Sequence, residues 1–420
     1  VTVTTLGPCK YPSPRSGFVS DDEKIPANII RAPDRPDDPG PLFEIAGPRE
    51  RLYFDPPRVR AGIITCGGLC PGLNNVIRSL VRELHGGYEV REVIGFRMGY
   101  GGLDPRNHHE PMVLVHSSVD DIHQQGGTIL GTSRGPVDVG AAVENLIRRK
   151  IDMLFCIGGD GTQRGAYALY EACKARGHAL AVVGVPKTID NDVLYVDRTF
   201  GYLTALEEAR HVIDAAHNEA RSVENGVALV KVMGRHAGFI AAGATIASQD
   251  VNFTLVPEVP FRLEGKGGFV AALTERVRDR GHAVVVVAEG AGQDLFPSEP
   301  HITDASGNVK LKDIGPFLAK AIADGFAAEK LPLTLRYFDP GYQIRSRPAN
   351  CEDAVLCDMF ARQAVHAAMA GKTGMVVGLL HGTFIHVPTS LIVAGAKRLD
   401  TDGLFWHSVL AANQQPDRFG

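Results

Sequence analysis

The chain has 420 residues, 44% of them hydrophobic and 22% charged, with a formal net charge of −4. At ~100–200 residues per domain it asks for two or three compact units, and its mild acidity gives no electrostatic case for nucleic acid or a membrane as the main partner. No apolar run approaches the ~18 residues that span a bilayer, the first residues lack the basic-then-apolar order of a signal peptide, and seven scattered cysteines suit a reduced, cytoplasmic setting.

Residues 1–58 hold eleven of the 26 prolines and show little periodicity, so they do not read as a regular domain. The apolar pairs Ile29-Ile30 and Leu42-Phe43 leave two readings open: a disordered tail, or an arm wrapped over the body or over a neighbouring subunit. From Val59 onward, short β-branched runs alternate with helix-period stretches. The first run, Val59–Thr65, leads through Gly67-Gly68-Leu69-Cys70-Pro71-Gly72-Leu73-Asn74-Asn75 into a helix carrying Ile77, Leu80 and Leu84. Glycines at such a turn let the backbone approach a bound group, and the helix N-terminus offers N–H donors to an anion. A tight turn without a ligand is the equal alternative. The string is neither a Walker A sequence nor a dinucleotide fingerprint. Cys66 and Cys70 have no second Cys or His pair at ligand spacing, so they do not read as a metal clip.

The run Ile151–Ile157 ends on Gly158-Gly159-Asp160-Gly161-Thr162, where an acidic side chain among glycines is placed to hold Mg²⁺ beside a polyphosphate. An Asp-Gly turn is the plainer reading. The run Ala179–Val185 leads to Pro186-Lys187-Thr188-Ile189-Asp190-Asn191-Asp192. Two carboxylates two residues apart can divide the labour, one taking a proton from an attacking hydroxyl and the other helping to place a cation. Alone, that string would read as a polar turn; three such strings, each at a strand end, make coincidence a poor account. Gly201–His217 then sets Leu203, Leu206, Ala209, Val212, Ile213 and Ala216 on one helical face. Further runs follow at Val227–Val232, Ala283–Ala288 and Met375–Leu380, and Gln293–Gly315, rich in turn formers, reads as a loop. Apolar runs this short, bounded by Gly, Asp and Pro, predict buried strands of a parallel sheet and an α/β, doubly wound architecture in two lobes.

In this order the three strings resemble the motifs of the phosphofructokinase family. The match continues through Thr199-Phe200-Gly201-Tyr202, Lys231-Val232-Met233-Gly234-Arg235, Pro257-Glu258-Val259-Pro260 and Ala288-Glu289-Gly290 to Gly341-Tyr342-Gln343-Ile344-Arg345. It covers the chain from about Val59 to at least Arg345. The resemblance implies two Rossmann-like doubly wound lobes with an extended N-terminal arm at 1–58. The phosphoryl-donor lobe would comprise 59–201 plus about 346–395 and the fructose 6-phosphate lobe 202–345, followed by a C-terminal tail at 396–420. It also implies a glycolytic kinase that forms a homo-oligomer, a dimer or tetramer, and takes no nucleic acid or membrane as partner.

Carried over by position, Asp190 matches the general base for the sugar's 1-hydroxyl, with Lys187 and Arg235 stabilising charge on the transferred group. Asp160 matches the Mg²⁺ carboxylate, and Asp192 is a second candidate. Gly67, Tyr100, Arg134, Gly159, Gly161 and Thr162 match positions around the donor. Thr188, Met233, Gly234, Arg235, Glu289, Arg336, Tyr342 and Arg345 match the sugar pocket. An arginine fork suits phosphate oxygens, and a carboxylate such as Glu289 suits sugar hydroxyls. The chain departs from many bacterial members in two places. Tyr342 stands where they have His, and Gly226 where they place an Arg that reaches a neighbouring subunit, which leaves Arg336 as the candidate bridge.

Gly161 with Lys187 resembles the ATP-dependent plant and trypanosomatid branch. Pyrophosphate-dependent relatives typically pair the Lys with an Asp whose carboxylate crowds a nucleotide's α-phosphate. ATP is therefore the expected co-substrate and pyrophosphate the alternative. A non-catalytic phosphosugar sensor of the same fold is a further rival, which the presence of Asp160, Asp190 and Asp192 opposes. A kinase for another acceptor, such as NAD, is opposed by Thr188–Asp192 and Met233–Arg235.

Overall fold

In a computed structural model, which describes residues 1–30, 38–135, 138–297, 302–303 and 309–420, the apolar runs become strands of two separate sheets. The larger has nine strands: β1 (Lys24–Pro26), β2 (Leu42–Ile45), β3 (Arg60–Thr65), β4 (Glu92–Gly95), β5 (Met112–Val113), β6 (Met153–Gly158), β7 (Ala181–Pro186), β12 (Met375–Leu380) and β13 (Thr383–Pro388). Their spatial order is β1-β2-β13-β12-β7-β6-β3-β4-β5, with the five consecutive strands from β12 to β4 parallel. The smaller sheet, β9 (Phe253–Leu255), β10 (His282–Ala288), β8 (Gly226–Val232) and β11 (Thr334–Phe338) in spatial order, is parallel throughout.

Both sheets are covered on both faces, which is why their strands read as unbroken apolar runs and not as alternations. Ile63, Phe155 and Val183 belong to one core of the larger sheet, while Ile64, Leu154, Cys156 and Val182 belong to the core on its other face. The smaller sheet divides in the same way, with Val230 and Val286 on one side and Leu229, Val285 and Val287 on the other. The period of two along a strand produces each division. The helix α1 (Tyr202–Arg221) buries Tyr202, Ala205, Ala209, Ile213, Ala216 and Ala220 in the smaller lobe, with Leu203, Leu206 and Val212 packed at the edge of that stripe.

The N-terminal residues are tied into the larger lobe. β2 pairs antiparallel with β13 and carries the fully buried Phe43, while Thr4–Thr5 pairs with Lys372–Thr373. At the other end of the chain, Leu399, Trp406, Val409 and Phe419 enter cores of the smaller lobe. Within the segment expected as a loop, 293–295 form a single turn of helix and a regular helix begins at Ile314; residues 298–301 and 304–308 lie outside the described residues. Among the described residues no helix is long and apolar enough to cross a membrane.

Candidate active site

The carboxyl ends of β3, β6, β7, β8 and β10 meet at one cleft of about 580 Å³ between the lobes, lined by the loops that follow each strand. Ligands of open α/β sheets gather at such strand ends. The cleft brings together Gly67, Tyr100, Arg134, Gly159, Asp160, Gly161 and Thr162 on one side with Lys187, Thr188, Asp190, Asp192, Met233, Arg235, Glu289 and Arg345 on the other.

On the first side, the helix α2 (Asp160–Ala175) starts directly after β6 and aims its first turn into the cleft. The turn is fixed from behind. Gln163 donates to the carbonyl of Gly158 at 2.9 Å, and the Tyr100 hydroxyl donates to the carbonyl of Thr162 at 2.5 Å. Tyr100 is buried, with its hydroxyl committed to this backbone, so its part is to seat the helix start. Nothing stands within 4 Å of where a Cβ on Gly161 would project, which leaves space above the helix N-terminus for an anionic group.

Lys187 spans the middle of the cleft. Its Nζ is buried and donates to the carbonyl of Gly68 at 2.7 Å, and burial pulls its pKa below the ordinary lysine value. A Cβ on Gly68 would stand 3.2 Å from the Arg134 guanidinium and 3.8 Å from that of Arg345, so this glycine turn is ringed by cations.

On the second side, the loop after β7 folds back on itself. Asn191 adopts a left-handed φ of 57°, Thr188 Oγ1 donates to Asp192 Oδ1 at 2.7 Å, and the Thr199 N–H donates to Asn191 Oδ1 at 3.0 Å. The tail of the chain clamps the loop: the Lys397 N–H donates to the carbonyl of Asp192 at 2.8 Å, and the half-buried Lys397 ammonium donates to the carbonyl of Asp197 at 3.0 Å. Asp190 Oδ2 lies 3.4 Å from the backbone N–H of Arg235, whereas Oδ1 is buried and accepts no hydrogen bond from the described residues. Burial, then the nearby charges of Asp192 and Glu289, raise the Asp190 pKa well above the ordinary carboxylate range. Burial also raises that of Glu289, opposed by Arg235, Lys231 and Arg345.

Three of the residues expected at the site do not line this cleft. Arg336 is not in this cleft: it sits half-exposed on β11, an edge strand, 3.9 Å from Glu219. Tyr342 is 76% exposed and lies at the rim, where the Arg345 guanidinium stacks 4.3 Å from its ring centroid. Gly234 contributes backbone: its φ of 130° and the carbonyl of Ala237, 2.7 Å from where a Cβ would stand, leave no room for a side chain. The cleft also holds residues that the motifs did not mark, namely Arg164, His236, Ile392–Ala396 and Arg398. No glycine-rich or acidic string announces 392–398; the only signal is that the segment follows the last strand.

Of the four carboxylates in the cleft, Asp160 and Asp192 are the candidates for a divalent cation, both close enough to act on the pKa of His236. Among the described residues no three His, Cys, Asp or Glu side chains form a closed metal cage. Two carboxylates nevertheless fit Mg²⁺, which is commonly held by one or two of them together with substrate phosphates. Asp160 is ion-paired to Arg164 across one turn of helix. An exposed pair of that kind is worth only ~0.3–0.5 kcal/mol, so it is easily exchanged.

Fold and cleft together define a two-lobed α/β protein with a cation-ringed cleft at its strand ends. The phosphofructokinase family model matches residues 60–368, and the chain belongs to that family. It is 47% identical to an ATP-dependent 6-phosphofructokinase of Amycolatopsis methanolica, over 100% of this chain and 95% of the relative. It is 46% identical to ATP-dependent 6-phosphofructokinase 1 of Arabidopsis thaliana, over 95% and 84%. Its fold matches that of a pyrophosphate-dependent phosphofructokinase from Marinobacter aquaeolei at TM-score 0.69, covering 86% of this chain and 93% of the other at 21% identity.

Proposed function

We propose that this chain is an ATP-dependent 6-phosphofructokinase, moving the γ-phosphoryl group of ATP to the 1-hydroxyl of fructose 6-phosphate. The observation that carries this reading is Asp190: a carboxylate with one buried, unpartnered oxygen, between a helix N-terminus on one side and Glu289 and Arg345 on the other. The larger lobe, 59–201 with 346–395, takes the nucleotide, and the smaller lobe, 202–345, takes the sugar phosphate. The Amycolatopsis and Arabidopsis relatives are named ATP-dependent, and the open space over Gly161 supports the same donor here.

Asp190 Oδ1 accepts the proton of the 1-hydroxyl as that oxygen attacks the γ-phosphorus in line. Its raised pKa makes it a stronger base than a surface carboxylate once it is ionised. The Lys187 ammonium and the Arg134 guanidinium face the transferred group and offset the charge that develops on it, while Arg235 and Arg345 hold the sugar's phosphate and Glu289 its hydroxyls. Asp160 and Asp192 would hold Mg²⁺, which supplies charge neutralisation on the donor oxygens. Positioning by both lobes supplies much of the rate, because the transferred group needs little covalent help. Arg336, exposed on its edge strand, serves the sugar site of a second copy in a cytoplasmic homo-oligomer.

The test is Asp190→Ser. Turnover should fall by ~10²–10⁴-fold while binding of fructose 6-phosphate, followed calorimetrically, persists. A folded variant with near-full turnover would refute the assignment.

A further inference from the structure

At the end of the smaller lobe opposite the cleft, two histidines meet. His217 lies in the last turns of α1, and His282 is the first residue of β10. Their Nε2 atoms are 3.3 Å apart, and the rings lie within 22° of parallel with centroids 5.3 Å apart. The far nitrogens settle the protonation. His217 Nδ1 is 3.1 Å from Asp250 Oδ2, and His282 Nδ1 is 3.2 Å from the carbonyl of Arg280. A carboxylate and a carbonyl only accept, so both Nδ1 atoms carry hydrogen. A neutral imidazole has a single N–H, and both Nε2 atoms therefore present lone pairs to each other.

Two lone pairs at that distance require a cation between them, either a proton or a metal ion. The spacing favours the metal. Two ligands on a tetrahedral ion with Zn–N bonds of ~2.0–2.1 Å stand about 3.3–3.4 Å apart, which is the separation of the two Nε2 atoms. The outer contacts point the same way, because metal-ligating histidines commonly donate their other N–H to a carboxylate or a backbone carbonyl.

We propose that His217 and His282 form a binding site for one divalent transition ion of the zinc class, with Asp250 and the Arg280 carbonyl as outer-shell partners. Among the described residues no third His, Cys, Asp or Glu completes the set, so water takes the remaining positions. Solvent reaches the site: the His217 side chain is 14% exposed and that of Asp250 45%. Imidazole donors suit Zn²⁺, Co²⁺ and Ni²⁺ and not Mg²⁺, so the site is chemically separate from the carboxylates of the cleft. The ion pins the end of α1 to the start of β10.

The full chain, stripped with a chelator and kept in excess Mg²⁺, is titrated calorimetrically with Zn²⁺ and followed by visible absorption with Co²⁺. The expected result is one Zn²⁺ equivalent per chain that disappears in both His217→Ala and His282→Ala, with Asp250→Asn binding ~10–100-fold more weakly. His217→Gln and His282→Gln replace either Ala variant if circular dichroism shows it unfolded. The absence of any Zn²⁺ equivalent, meaning the pair takes only a proton, would overturn the proposal. So would an equivalent that survives both single substitutions.

Discussion

Gly161 and Asp190 bear most of the functional argument, and each makes a separable prediction. Because nothing lies within 4 Å of a Cβ on Gly161, Gly161→Asp should fold with stability changed by no more than ~0.5 kcal/mol, as for a surface substitution. Its carboxylate would project into the space assigned to the nucleotide. The KM for ATP should then rise by ~10-fold or more, equivalent to ~1.4 kcal/mol. Initial rates across ATP concentrations, with thermal unfolding in parallel, check both halves; an unchanged KM would contradict the placement of the donor. Asp190 stood out in the sequence only in company, since its string alone reads as a polar turn and its role came with the resemblance carried by three strings at strand ends. Its unpartnered oxygen was not legible, since that depends on where Arg235 and Glu289 arrive from the other lobe. Tyr100 shows the same limit: its place beside the donor turn was readable, its bond to the Thr162 carbonyl was not.

Among elements, the long buried strands were the easiest to read, since β3, β6, β7, β8, β10 and β12 each begin and end within two residues of an apolar run. Strands of two to five residues such as β1, β2, β5 and β11 escaped, being too short to show a period or broken by proline. Buried polar contacts between helices were equally silent in the sequence. The Tyr88 hydroxyl shares a 2.8 Å hydrogen bond with His366 Nδ1, on the helix Cys351–Met369. Burial, with Arg15 and Arg362 nearby, lowers the His366 pKa to about 3. Below the unfolded histidine value of ~6.5 the unfolded chain then binds a proton that the folded one does not, so stability falls as pH falls. This group should contribute a loss of about 1.4 kcal/mol per unit between pH ~6 and the folded value. Denaturant titrations across that range should show His366→Gln less stable at neutral pH but with a flatter pH dependence; an unchanged slope would contradict a neutral His366.

Over the whole molecule, the N-terminal residues and the body share one charge cluster that runs from the interior at Lys372 and Glu44 to the surface at Asp21. Lys372 Nζ lies 2.9 Å from Asp21 and 3.0 Å from Glu44, His386 lies 3.4 Å from Glu44, and Arg49 holds Asp21 at 2.7 Å. Lys372 and Glu44 are almost fully buried, so removing Glu44 leaves the dry Lys372 ammonium with only the exposed Asp21 carboxylate against it. Glu44→Ala should cost ~3–5 kcal/mol, read as a lowered denaturation midpoint, and a loss under ~1 kcal/mol would show the arm to be only loosely held. The proposed site likewise draws on both lobes: the cleft has Asp160 from one and Glu289 from the other. The most direct test is the initial rate of fructose 1,6-bisphosphate formation from fructose 6-phosphate and Mg²⁺, with ATP or with pyrophosphate as donor. Turnover with ATP and none with pyrophosphate is the predicted result, and turnover with pyrophosphate alone, or with neither, would contradict it.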